Sequence, residues 1–194
     1  MRHTIAAAGK LLGGFMILRT IAVTKDFSDI EKVNLLAKEA FPPEEYLSPD
    51  TMIEMSKEDD FDFWALYDED TFVGFMAVKT HKNMSYLFFL AIDPSLRSKG
   101  YGSRAVETLK VLYKGYEQVV DFEMLDETAS NNEQRQKRRL FYLRNAYCPT
   151  GYGLSYRGVT YEIMCTGKDF EIDHFRELMS TITLDSFNPR YFRI

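Results

Sequence analysis

One stretch restricts the folds open to this chain more than any other. An apolar strand pattern, a basic glycine loop and an amphipathic helix pattern follow one another without interruption. Tyr86 to Ile92 is apolar throughout and stops at Asp93-Pro94. Beyond Ser95-Leu96 comes Arg97-Ser98-Lys99-Gly100-Tyr101-Gly102-Ser103, after which Ala105, Val106, Leu109, Leu112 and Tyr113 recur at helical spacing. A strand that enters a helix through glycines makes a phosphate cradle. Glycine lets the backbone come close, the first helical amides lack intrahelical acceptors, and the helix dipole adds partial positive charge. Arg97 and Lys99 set full charges beside those amides. The stretch therefore reads as the site of a phosphorylated cofactor.

The remaining elements can be placed around it. Met16 to Val23 reads as a first strand. Ser28-Asp29-Ile30-Glu31 has the form of a capping box, opening a helix with Ile30, Val33, Ala37 and Phe41 on one face and Pro42-Pro43 as its stop. Ser48-Pro49 looks like the cap and first position of a shorter helix carrying Met52 and Met55. Phe61–Tyr67 and Thr71–Lys79 make a hairpin through Asp68-Glu69-Asp70, and His81-Lys82-Asn83 turns the chain into the Tyr86 strand. Antiparallel strands thus precede the glycine loop. Gln118 to Leu125 must run parallel to the Tyr86 strand, because a helix crosses between them. Asn131 to Asn145 reads as a helix with Leu140 and Phe141 inward and Arg135, Lys137, Arg138 and Arg139 dense around it. Gly151–Tyr156 and Val159–Cys165 form a hairpin through Arg157-Gly158, followed by a helix over Ile172–Met179 and an aromatic tail.

Composition removes several function classes. Twenty-four basic against 29 acidic side chains leave a net charge of −5, so no general affinity for nucleic acid or an anionic membrane is expected. Cys148 and Cys165 give neither a disulfide framework nor a metal-ligand spacing, which points to a reducing, cytoplasmic setting without a bound metal. At the start, Ile5-Ala6-Ala7-Ala8 resembles a signal peptide, but Lys10 breaks the apolar run and Gly13-Gly14 follows. Residues 1–15 read as an N-terminal extension, and 16–194 as one domain.

Gly100-Tyr101-Gly102-Ser103-Arg104-Ala105 also fits the dinucleotide pattern G-x-G-x-x-A, with Asp121 about twenty residues on, as that pattern requires. The context opposes it. In that fold the first glycine follows its strand almost at once, and parallel βαβ units repeat. Here a proline-containing link intervenes, and antiparallel strands come first. A different match includes the residues before the glycines. Arg97-Ser98-Lys99-Gly100-Tyr101-Gly102 resembles the Arg/Gln-x-x-Gly-x-Gly/Ala signature of the GNAT superfamily of N-acetyltransferases, and Leu90-Ala91-Ile92-Asp93-Pro94 is similar to its strand-to-loop junction. Further on, Phe141-Tyr142-Leu143-Arg144-Asn145-Ala146-Tyr147 resembles its helix-ending Tyr-x-x-x-Gly-Phe segment, with Ala146 in place of the glycine. The order of elements fits from Met16 to about Cys165.

The resemblance implies an α+β fold in α/β/α layers, with a mixed, mostly antiparallel central sheet. A splayed parallel strand pair would bind acyl-CoA, with acetyl-CoA as cosubstrate. Leu90, Ala91 and Ile92 would face pantetheine, and Arg97, Ser98, Lys99, Gly100, Tyr101, Gly102 and Ser103 would hold the pyrophosphate, with Asn131 and Tyr142 completing the cofactor contacts. An amine of a small molecule or peptide would attack the thioester directly, with a backbone amide near Ala91 or Ile92 stabilising the oxyanion and Tyr142 as the acid for the leaving thiolate. Many relatives carry a glutamate where this chain has Tyr86. On the next strand Val120, Phe122 and Met124 share one face and Asp121 and Glu123 the other. Glu123 is the candidate base or amine-binding group, or else a salt-bridge partner of the basic helix. The loss of the glutamate also fits a catalytically silent acyl-CoA-binding or regulatory module. The C-terminal hairpin and aromatic tail suit either a homodimer contact or a cover for the core.

Overall fold

The computed structural model describes residues 11–12, 15–43, 45–184 and 187–194. Most of the expected N-terminal extension, residues 1–10 and 13–14, lies outside the described residues. The elements are β1 (Leu11–Leu12), β2 (Phe15–Met16), β3 (Arg19–Ala22), α1 (Ile30–Ala40), α2 (Pro49–Met55), β4 (Phe61–Asp68), β5 (Thr71–His81) and β6 (Met84–Ile92). A 3-10 turn at Pro94–Leu96 leads to α3 (Tyr101–Leu112), then β7 (Glu117–Glu123), α4 (Asn132–Arg144), β8 (Cys148–Tyr156), β9 (Val159–Cys165), α5 (Ile172–Ser180) and β10 (Arg190–Arg193). β1 and β2 pair with each other, and the other strands form one mixed sheet in the order β10-β8-β9-β7-β6-β5-β4-β3. The β6–β7 pair is parallel, as the crossover helix requires, and its register covers Met84–Tyr86 against Glu117–Val119.

The chain divides into two compact units, residues 1–79 with 87–114 and residues 80–86 with 115–194. The first has an aromatic core. Phe61, Phe63 and Phe75 are buried beneath Val33, Leu36 and Ala37 of α1 and Met52 and Ile53 of α2, and each phenyl ring contributes about 1.5–3 kcal/mol relative to exposure. α2 starts as its sequence demands, with Ser48 Oγ accepting from the Thr51 amide at 3.1 Å and Pro49 at the first helical position. α1 differs. Its N-cap is Asp29 rather than Ser28, and no side chain caps it. The Asp29 carboxylate is taken by the Tyr67 hydroxyl at 2.6 Å and by Lys32 Nζ at 3.0 Å, so a tertiary contact replaces the expected capping box.

In the second unit Val119, Val120, Ile163, Met164, Phe175 and Leu178 are buried. Arg157 and Gly158 both take positive φ, 49° and 82°, as a two-residue hairpin turn between β8 and β9 needs. Leu140 corrects the sequence expectation for α4, because it is 48% exposed rather than inward. Arg135, Arg139 and Tyr142, at helical spacing, hold the strand-facing side, where Arg139 Nε reaches Glu162 Oε2 at 2.8 Å and Tyr142 stacks on Phe122. Leu140 lies one residue, about 100°, off that line.

Candidate active site

In the first unit the glycine loop is braced at both ends. Asp93 closes β6: its amide donates to Val73 O at 2.8 Å, while its carboxylate accepts from the Ser95 amide at 2.9 Å and hydroxyl at 2.6 Å. Arg97 folds back so that Nε donates to Ile92 O at 3.1 Å, with Glu39 3.9 Å from its Nη2. Ser98 and Gly100 both turn left-handed, with φ of 61° and 85°. A built Cβ on Gly100 would meet nothing within 4 Å, so the backbone angle alone asks for glycine there. Gly100 is the N-cap of α3, which leaves the amides of Tyr101, Gly102 and Ser103 in the first turn without helical acceptors. Arg97, Ser98 and Lys99 are exposed beside them.

α3 is then pinned by a residue that the sequence reading took only for turn chemistry. Asp68 accepts from Arg104 through both oxygens, at 2.7 and 2.6 Å, and from the Tyr101 hydroxyl at 2.9 Å. The guanidinium holds the Asp68 carboxyl below its ordinary range, and the same carboxylate raises the Tyr101 phenol. Arg104 is therefore a structural brace, and its charge is matched by Asp68. Gly74 was missed as well. A Cβ there would lie 2.0 Å from Ala91 O, so β5 and β6 can approach this closely only without a side chain. A glycine inside an apolar strand is the signal that could have revealed it.

In the second unit Glu123 ends β7 inside a ring of partners. Arg135 Nη2 lies 2.8 Å from Oε1, Arg138 Nη1 lies 3.3 Å from Oε2, and Asn131 Nδ2 reaches both oxygens at 3.2 and 3.1 Å. Asn131 also accepts from Arg135 Nε at 2.8 Å, which ties its amide to this network. Tyr142 is buried between aromatic rings, stacked on Phe122 at 5.3 Å and edge-on to Tyr147 at 5.4 Å. Burial pushes its phenol up to about 12, Arg138 works in the opposite direction, and Asp121 adds to the rise. Ala146 adopts φ 64°, in a Schellman turn closed by Tyr147 N to Tyr142 O and Ala146 N to Leu143 O, both at 3.1 Å. Tyr86, at the position where a glutamate was expected, donates its hydroxyl to Asp121 Oδ1 at 2.6 Å.

The chain matches the family model described as the GNAT acetyltransferase family over residues 29–142, more than half its length. It belongs to the GNAT family. Solved structures agree on the fold. A protein of Bacteroides thetaiotaomicron assigned to the GNAT acetyltransferases is 24% identical, with 82% of this chain and 92% of that one covered and a TM-score of 0.61. An aminoglycoside 6'-N-acetyltransferase complexed with coenzyme A is 17% identical, covers 78% and 99%, and has a TM-score of 0.58. The ribosomal-protein-S18-alanine N-acetyltransferase of Escherichia coli is 15% identical, with 80% and 99% covered and a TM-score of 0.57. The chain has no match among the curated proteins. Within this GNAT chain the first unit brings together Leu90, Ala91, Ile92 and the Arg97–Ser103 loop, and the second brings Glu123 to Asn131. No helix among the described residues is long and apolar enough to cross a membrane.

Proposed function

We propose that residues 16–194 act as one cytoplasmic acetyltransferase domain that moves an acetyl group from acetyl-CoA to a primary amine of a small molecule or peptide. The observation that carries this reading is the start of α3, where left-handed Gly100 delivers three amides without helical acceptors beside exposed Arg97 and Lys99. Those amides would hold the pyrophosphate, and the β6 end at Leu90, Ala91 and Ile92 would face pantetheine. The amines named for the structural neighbours, an aminoglycoside and an alanine of ribosomal protein S18, support an amine acceptor without selecting one.

Acetyl-CoA supplies an activated thioester, and the protein's task is the protons. An alkyl amine of pKa near 10.4 must lose its proton before attack, at a cost of about 4–5 kcal/mol near neutral pH. Tyr142 is assigned to the departing thiolate. A phenol at about 12 against a thiol near 8.5 makes full proton transfer uphill by about 5 kcal/mol, so hydrogen-bond donation to the sulfur is the role that fits. Glu123 is assigned to the amine proton, which requires one of its guanidinium partners to yield.

The test is thiol release from acetyl-CoA across a panel of amines, with Tyr142→Phe beside wild type. Turnover by wild type, reduced about 10- to 100-fold in Tyr142→Phe, is the expected result. A second reading, a catalytically silent acyl-CoA-binding module, is favoured by Tyr86 standing where the glutamate was expected with its hydroxyl committed to Asp121. Tight acetyl-CoA binding without turnover on any amine selects it, and absence of acetyl-CoA binding defeats both.

A further inference from the structure

The chain's two cysteines, too few for a disulfide framework, meet in the second unit. Register places Cys148 of β8 directly opposite Cys165 of β9, and opposed residues of an antiparallel pair share a face. Both thiols are free, with Cys148 exposed and Cys165 buried. The Thr166 amide donates to Gln118 O of β7 at 3.0 Å, so the backbone groups of Cys165, one residue earlier, turn toward β8. Such a hydrogen-bonded pair holds its Cα atoms about 5.5 Å apart, within the span of a disulfide. Its Cβ atoms stand about 1 Å too far apart, so β8 must move inward to close the bond. The strand can give at this point. Pro149, the next residue, has no amide for the ladder. Pro149 faces Met164 and Gly153 faces Glu162, which leaves Thr150, Gly151 and Tyr152 bulging against Ile163 alone.

Cys165 has a proton acceptor beside it. Its partner on β7 is Val119, and Glu117, two residues before Val119, shares that face. A Cβ on Gly167 would collide with Glu117 Oε1, so the carboxylate rests on that glycine. Glu117 Oε1 is buried and has no hydrogen-bond partner among the described residues. Cys165 Sγ donates to Gly167 O at 3.3 Å. Burial first, and then Glu117, pushes the Cys165 thiol up to about 12. At neutral pH this thiol attacks only as a base takes its proton, and Glu117, itself raised by burial, is in place to do so.

We propose that Cys148 and Cys165 are a peroxide-responsive thiol pair that closes into a reversible cross-strand disulfide, with Glu117 as its base. The exposed Cys148 sulfur attacks one oxygen of hydrogen peroxide. The O–O bond breaks, water leaves with the thiol proton, and Cys148 becomes a sulfenic acid. The Cys165 sulfur then attacks the Cys148 sulfur while Glu117 accepts its proton. The S–S bond forms, the S–O bond breaks, and the proton passes to the departing hydroxide as a second water. Both sulfurs are oxidised and the peroxide is reduced. A low-molecular-weight thiol reopens the bond by exchange, so it is transient in a reducing setting. Closure pulls on the Ala146–Tyr147 turn beside Cys148, and the Tyr147 ring stands edge-on to Tyr142 at 5.4 Å. This effect on the Tyr142 site rests on the acetyltransferase reading, whereas the bond itself does not.

The experiment treats the full chain with hydrogen peroxide, titrates its thiols and maps its peptides by mass spectrometry. Both thiols should disappear together, a peptide linked through Cys148 and Cys165 should appear at single-chain mass, and dithiothreitol should restore both thiols. Cys165→Ala should stop at a Cys148 sulfenic acid that dimedone captures. Cys148→Ser, an exposed change, should leave the Cys165 thiol intact and serves should Cys165→Ala not fold. Glu117→Gln should slow closure by about tenfold or more. Chains linked to one another through Cys148, or Cys148 carried to sulfinic acid with Cys165 still free, overturns the pair. An unchanged closing rate in Glu117→Gln overturns the base. Acetyl-CoA turnover should fall about tenfold in the closed form, as a displacement of about 1 Å near the chemistry entails, and return with dithiothreitol. Unchanged turnover in the closed form overturns the coupling to Tyr142. Absence of turnover before any oxidation defeats the acetyl-transfer reading instead, whatever the thiols do.

Discussion

The helices α3 and α4 are held by different forces. α3 buries Ala105, Val106 and Leu109 in a continuous apolar stripe, and its one bidentate ion pair, Arg104 with Asp68, sits at the end that carries the glycine loop. α4 has a single buried residue, Tyr142, and is fastened by guanidinium–carboxylate pairs, Arg135 with Glu123 and Arg139 with Glu162. An apolar stripe tolerates small shifts, whereas a forked ion pair fixes register and fails when either partner is lost. The glycine loop is thus a matter of backbone geometry on a robust helix. The Tyr142 helix depends on charges that must all be present.

Removing one of those charges should have the largest effect. Glu123→Ala leaves Arg135, whose side chain is only 12% exposed, without its carboxylate, and leaves Asn131 and Arg138 without theirs. A loss of about 3 kcal/mol is expected, seen as a fall of about 6–12 °C in melting temperature. Glu123→Gln refines this result. A base role lowers turnover while the fold stays close to wild type, and an anchor role lowers the melting temperature first. In the first unit the strongest perturbation is steric. Gly74→Ala puts a methyl group 2.0 Å from Ala91 O, and strand displacement at the β6 end should cost about 1–3 kcal/mol. Acetyl-CoA affinity should fall with it, by equilibrium dialysis. Unchanged affinity would separate Leu90–Ile92 from the cofactor.

Next in size is Asp68→Asn, which cuts the ion pair at the start of α3 and should cost about 1–2 kcal/mol at pH 7. Its pH dependence has a fixed sign. Arg104 holds the folded Asp68 carboxyl below its ordinary value. The stability it provides is therefore complete above the unfolded carboxyl value near 3.9 and disappears as pH falls through the lower folded value. Urea melts of wild type and Asp68→Asn should diverge at pH 7 and converge toward pH 3. A constant gap would mean that the pair carries no charge-dependent stability.

The sequence was legible where the cause is local. Gly100, Ser48-Pro49 and Arg157-Gly158 each act within a few residues, and the expected elements formed there. Parallel pairing of β6 and β7 followed from the helix that crosses between them. Asp68 with Arg104, Tyr86 with Asp121 and Arg139 with Glu162 were illegible for a common reason. Each pair is separated by 23 to 36 positions, and neither member reveals its partner. Leu140 failed because periodicity assumes that an apolar residue faces inward, and on α4 the inner face is basic.

The smallest effect should be a gain, and it bears on the charge-held helix. α4 ends in a Schellman turn whose left-handed residue is Ala146, φ 64°, where the related motif carries glycine. A Cβ in that region is strained, so Ala146→Gly should stabilise the chain by about 0.5–1 kcal/mol, net of the added freedom of the unfolded glycine. The turn sets Tyr147 against Tyr142 at 5.4 Å. Relaxing it should leave the Tyr142 ring on Phe122 and raise the melting temperature by about 1–4 °C without altering the acetyl-CoA KM. A destabilised Ala146→Gly would show that the alanine methyl makes a contact worth more than its strain, and that α4 is held at its end by packing as well as by charge.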